Sequence, residues 1–98
     1  MIRHTVLFQF KPETPSAQRD DALQTLAAMR DKIPEVRALT IGHVVSAGSD
    51  VDLALNVDFD DMDAYGRYGP HEAHQHAWLD VVQPLVTSVK AFQFEYTA

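Results

Sequence analysis

Residues 65–78 read YGRYGPHEAHQHAW, and the fold turns on how this stretch is read. It carries three of the five histidines, two of the three tyrosines and the single tryptophan. Gly69-Pro70 is a stop followed by a restart: proline fixes φ and suits a first helical turn, so a helix is expected from about His71 to Val86. At 3.6 residues per turn, His71, His74, Trp78, Val81, Val82 and Leu85 then share one face. His76 and Asp80 fall on the other. Two imidazoles therefore look inward along an otherwise apolar stripe, with Tyr68 at its mouth. Buried polar rings are costly without partners, so this face is either a satisfied polar nest or a working site.

Working outward, the flanking segments alternate with the period of strands rather than helices. In IRHTVLFQF, residues 2–10, Ile2, His4, Val6, Phe8 and Phe10 share one face. Thr14-Pro15 reads as an N-cap followed by proline, opening an amphipathic helix through Leu23, Leu26, Met29 and Ile33. Residues 36–47 and 52–59 read as a hairpin across the Gly48-Ser49-Asp50 turn, with Gly42 a candidate bulge. Asp60 is expected to cap a short helical turn through Met62 and Tyr65. Val89–Tyr96 is the last strand, with Phe92, Phe94 and Tyr96 on one face.

Strand, helix, strand, strand, helix, strand is the split βαβ, ferredoxin-like order: an α+β fold with both helices on one face of a four-stranded antiparallel sheet. Phe8, Phe10, Leu53, Val57, Phe92 and Phe94 are expected to meet the helices. The opposite face, with Thr5, Leu7, Gln9, Ala54, Asn56 and Ala91, is too apolar to stay fully wet, so a homodimer packed sheet to sheet is expected.

Ninety-eight residues suit one domain, 1–98. A net charge of −6, with the basic residues scattered, argues against nucleic acid or an anionic membrane as partner. The absence of cysteine removes disulfides and thiol chemistry. Without an apolar run long enough to span a bilayer, or a signal peptide, a cytoplasmic location is expected.

The segments IRHTVLFQFKP, NVDFDD and YGPHEAHQHAWLDVVQPL resemble the Dabb family, the stress-responsive dimeric α+β barrel proteins, across nearly the whole chain. That family's Tyr, two residues, His-Pro-x-His signature is met by Tyr68, His71 and His74; Glu72 stands where its internal proline would be. The resemblance implies a dimeric barrel. It also implies one of two roles: a pocket able to do acid/base chemistry, or a non-catalytic, self-assembling, stress-associated protein. A polyketide cyclase of this kind has a catalytic His and Tyr spaced like His74 and Tyr68, and a first-strand pocket histidine matching His4. Its third-strand pocket histidine falls on Leu53 here.

The resulting expectation is a cofactor-independent site for a hydrophobic carbonyl compound. His74 would move a proton and Tyr68 would steady the enolate; His4, Phe8, Leu53, His71, Trp78 and Phe92 would line the pocket. No cofactor and no metal are assigned, since HEAH is one residue short of HExxH. The competing reading makes His74 a hydrogen-bonded structural histidine.

Overall fold

A computed structural model of the chain describes residues 1–97. The first alternation is carried through: strand β1 spans Ile2–Phe10, with every second side chain from Ile2 to Phe10 buried and those between half-exposed. Helix α1 (Ser16–Ala27) and the single turn α2 (Met29–Lys32) follow, interrupted only at Ala28. Thr14 is not the N-cap. Pro15 holds that position in extended conformation, and the Thr14 hydroxyl donates instead to the Leu85 carbonyl at 3.4 Å.

Strand β2 (Ala38–His43) is shorter than the sequence suggested and pairs antiparallel with β3 (Leu53–Phe59). Gly42 sits in regular register opposite Ala54, so it is no bulge. The irregularity lies between Gln9 and Phe10, where β1 meets β4. Gly48 takes φ +79°, a left-handed conformation suited to glycine, and turns the chain back toward β3.

Helix α3 (Met62–Tyr68) is capped by Asp61, whose carboxylate accepts from the Ala64 N–H at 2.8 Å. Asp60, the expected cap, instead forms a two-point pair with Arg37 at 2.9 and 2.7 Å. The second long helix is not uniformly α. It opens as α4 (Glu72–Gln75), widens to i→i+5 hydrogen bonding over His76–Val82, and tightens to a 3₁₀ turn at Gln83–Leu85. Pro84, which lacks an N–H and cannot continue the ladder, stands in that last turn. Strand β4 (Val86–Glu95) then pairs with β1.

The sheet order is β2-β3-β1-β4, all antiparallel, a ferredoxin-like α+β arrangement. Between sheet and helices lies the core, where Phe59, Tyr68, Met29, Ile33, Leu53, Leu55, Val57 and Val82 are fully buried. Each such aliphatic or aromatic side chain contributes about 1.5–3 kcal/mol over its exposed state.

Strand β4 runs in the register opposite to expectation. Val89, Ala91 and Gln93 pair with Phe8, Val6 and His4 on the helix side, whereas Phe92 and Phe94 pair with Thr5 and Arg3 on the open face. Phe92 and Phe94 are each 42% exposed there. Arg3 bridges the central strands of this face, contacting both Asp58 carboxylate oxygens at 2.8 and 3.0 Å and lying 4.7 Å from the Tyr96 ring centroid. Among the described residues, no helix is long and apolar enough to cross a membrane.

Candidate functional site

The chain between α3 and α4 builds the site. Helix α3 ends at Tyr68, leaving the Gly69 carbonyl beyond its last turn in need of donors. Two side chains from the restarted helix return to it: His74 Nδ1 at 3.0 Å and Gln75 Nε2 at 2.7 Å. A carbonyl only accepts, so His74 Nδ1 carries the proton and Nε2 keeps its lone pair. The tether also lays the imidazole against the Tyr68 ring, with centroids 4.6 Å apart.

Beneath it is a cavity of about 270 Å³. Val6, Phe8, Leu55, Val89 and Ala91 line it from the helix-facing side of the sheet, and Leu26, Tyr65, Tyr68, Gly69 and Trp78 complete the lining. Of the nitrogen-bearing side chains in this lining, His4 and His74 are the titratable ones; the third is the Trp78 indole. His4 hangs from the buried face of β1, its ring 5.0 Å from Tyr65 and 5.8 Å from Tyr68, and its Nδ1 meets Gln93 Nε2 at 2.9 Å.

Burial sets the protonation state. It lowers the His4 pKa to about 4, with the neighbouring His74 adding to the effect. Burial also lowers the pKa of His74, opposed by its bond to Gly69. Both rings are thus neutral near pH 7, and the His74 ring, with Nε2 unprotonated, lines an apolar chamber. Burial and the nearby Tyr65 raise the Tyr68 pKa, keeping that phenol protonated.

His4, Phe8, Tyr68, His74 and Trp78 come together around one space. Three other expected lining residues do not. His71 is the N-cap of α4; its Nδ1 accepts from the Ala73 N–H at 3.1 Å, and the residue borders a separate surface depression with Lys32 and His76. The cap position lies before the first helical turn, so the inward stripe drawn on a regular helix does not include it. Leu53 is wholly buried opposite Phe8 and is core rather than lining. Phe92 lies on the open face of the sheet, as the β4 register requires.

Tyr68 is in place but differently aimed. Its hydroxyl donates to Met29 Sδ at 3.7 Å, so its contact with His74 is through the ring. Sequence reasoning missed Tyr65 and Gln93. Tyr65 lies three residues before Tyr68 on α3, a spacing that could have signalled a shared face. Among the described residues, no group of three or more His, Asp or Glu side chains is placed to hold a metal ion.

Fold and cavity together define a ferredoxin-like α+β domain with a two-histidine chamber under its second long helix. The stress responsive A/B barrel domain model matches residues 2–96, and the chain belongs to this family, Dabb. A Dabb family protein with a ferredoxin-like fold from Mesorhizobium loti is 25% identical, with a TM-score of 0.84 over 99% of this chain and 97% of that one. A dimeric ferredoxin-like protein of unknown function from Thermobifida fusca is 27% identical, with a TM-score of 0.86 over 97% and 90%. The hydroxynitrile lyase of Passiflora edulis shares the fold at 12% identity, with a TM-score of 0.84 over 95% and 90%. No curated protein matches the sequence at a significant level.

Proposed function

We propose that this chain binds a small hydrophobic carbonyl compound in the helix-roofed cavity and catalyses cofactor-independent proton transfer there. The observation that carries the reading is the fixed tautomer of His74, whose Nε2 is a free acceptor at an apolar cavity. In the proposed step, His74 Nε2 takes a proton from the carbon beside the carbonyl, and the C–H electron pair passes to the carbonyl oxygen as an enolate. The imidazolium so formed is supported by the Gly69 carbonyl at its Nδ1–H. The enolate carbon then recovers the proton or bonds to a second carbonyl carbon of the same molecule. In the latter case His74 returns the proton to the new alkoxide, a cyclase-like outcome.

Cavity volume limits the ligand. An apolar cavity of about 150 Å³ holds a benzene ring, so one of about 270 Å³ suits roughly a dozen non-hydrogen atoms. A substituted ring or a short acyl chain fits. Among fold relatives, the Passiflora edulis protein is a hydroxynitrile lyase, so the fold carries an enzyme in at least one case.

The working unit is proposed to be a homodimer joined through the open sheet face, where Phe92 and Phe94 are exposed beside Tyr96. The dimeric Thermobifida relative supports this. Trp78, the single tryptophan, lines the cavity and is a built-in reporter. Titration with small aryl ketones should change its fluorescence saturably, and Ala91→Leu, which fills the cavity floor, should weaken that response at least tenfold. A response unaffected by Ala91→Leu would place the ligand elsewhere.

A further inference from the structure

We infer that Gln93 is a positioning residue that holds His4 as its Nε2–H tautomer, making His4 the hydrogen-bond donor to the oxygen of the ligand that His74 faces as acceptor. The inference rests on the cavity reading given above.

Gln93 stands directly opposite His4 in the β1–β4 register, on the helix-facing side of β4. Its neighbours on that side, Val89 and Ala91, are apolar and form part of the cavity floor. An amide on such a face needs a partner, and it has one: Nε2 of Gln93 donates to Nδ1 of His4 at 2.9 Å. With Nδ1 used as an acceptor, the neutral ring carries its proton on Nε2.

The second nitrogen is open. Among the described residues, no buried side-chain nitrogen or oxygen lacks a hydrogen-bond partner, and His4 bonds Gln93 through Nδ1. His4 Nε2–H therefore reaches accessible space, and the residue lines the cavity.

The two histidines are set in opposite tautomers by different means. A main-chain carbonyl fixes His74 with a bare Nε2, and a side-chain amide fixes His4 with a protonated one. A donor and an acceptor on one apolar chamber match the needs of a carbonyl with an adjacent C–H: one group receives the proton while the other meets the growing charge on oxygen. Two identical tautomers would lack one half of that pair. Gln93 touches no ligand and acts only through His4.

The test reads the tautomer directly by ¹⁵N NMR of histidine-labelled protein, with 4-nitrophenolate as an oxyanion probe. Wild type should show His4 with Nε2 protonated. Gln93→Glu offers only acceptor atoms, so His4 should switch to the Nδ1–H form and nitrophenolate affinity should fall at least tenfold. Gln93→Met keeps length without a donor; it should give mixed tautomers, a smaller loss of affinity, and a folded control should the charged variant fail to fold. His4 found with Nδ1 protonated in wild type, or a tautomer indifferent to both substitutions, overturns the inference. A switched tautomer with unchanged nitrophenolate affinity overturns the donor role. If wild type binds no probe, the cavity reading and the donor role fall together, while the NMR arm still decides what Gln93 does to His4.

Discussion

Tyr68 and His74 lie ring against ring, 4.6 Å between centroids, while the phenol hydroxyl is turned to Met29 Sδ at 3.7 Å. The pair is thus a packing unit, with the imidazole's hydrogen bond going to Gly69 and the phenol's to sulfur. Tyr68→Phe should therefore be mild, changing stability by no more than about 1 kcal/mol and leaving ligand affinity intact. Tyr68→Ala should cost about 3–5 kcal/mol, because it empties a fully buried site. Urea denaturation of the two variants, with Trp78 titrations beside it, checks this. A large loss of affinity in Tyr68→Phe would restore the hydroxyl to the chemistry.

His4 makes folding pH-dependent. Its pKa is about 4 in the folded chain against 6.5 for the free side chain, so the unfolded state binds the extra proton first. Stability is therefore fully present above about pH 6.5 and is lost as pH falls toward 4; the His4 contribution amounts to about 3 kcal/mol. His74, shifted in the same direction, adds to the slope. Urea midpoints at pH 7, 5.5 and 4.5 should fall steadily in wild type and less steeply in His4→Asn. Equal slopes in the two proteins would mean that His4 titrates normally.

Leu53 separates core from cavity. Being wholly buried and outside the lining, Leu53→Ala should destabilise by about 2–5 kcal/mol while leaving the affinity of the folded fraction near wild type. Denaturation curves and Trp78 titration together test both halves.

What the sequence disclosed follows from how many forces agreed at each position. In β1, propensity, alternation and burial coincide, so Ile2–Phe10 was legible residue by residue. The hairpin and the ferredoxin-like order followed from equally regular patterns. In β4, both faces carry apolar side chains: Val89 and Ala91 on one, Phe92 and Phe94 on the other. Size alone favours the larger pair for the helix side, yet it lies on the open face. The irregularity at Gln9 and Phe10, which no sequence pattern marked, sits in the same pairing. The same preference hides Gln93, which shares the helix-facing side with Val89 and Ala91. His71 falls off the face that a regular helix would give it, because these residues cap, widen and tighten in turn. His4 and His74 were found because a histidine on an apolar face stands out whatever the details.

The exposed aromatic column gives an assembly prediction. Phe92→Asp combined with Phe94→Asp puts two charges on the open face, where they would oppose a sheet-to-sheet contact. Light scattering should show a dimer for wild type and a monomer for the double variant, with far-UV circular dichroism unchanged. A variant that remains dimeric would place the interface elsewhere on the surface.

His74 carries the central claim, and one substitution isolates it. In His74→Asn the amide can still donate to the Gly69 carbonyl, so the fold should hold, but the basic nitrogen is gone. The measurement is deuterium exchange at the α-carbon of small aryl methyl ketones in D₂O, followed by proton NMR with wild type and His74→Asn at pH 7. Wild type should exchange the α-protons of a bound ketone well above the buffer rate, and His74→Asn, equally stable, should fall back to that rate. Exchange that is the same in both proteins would contradict the account and leave His74 a structural histidine.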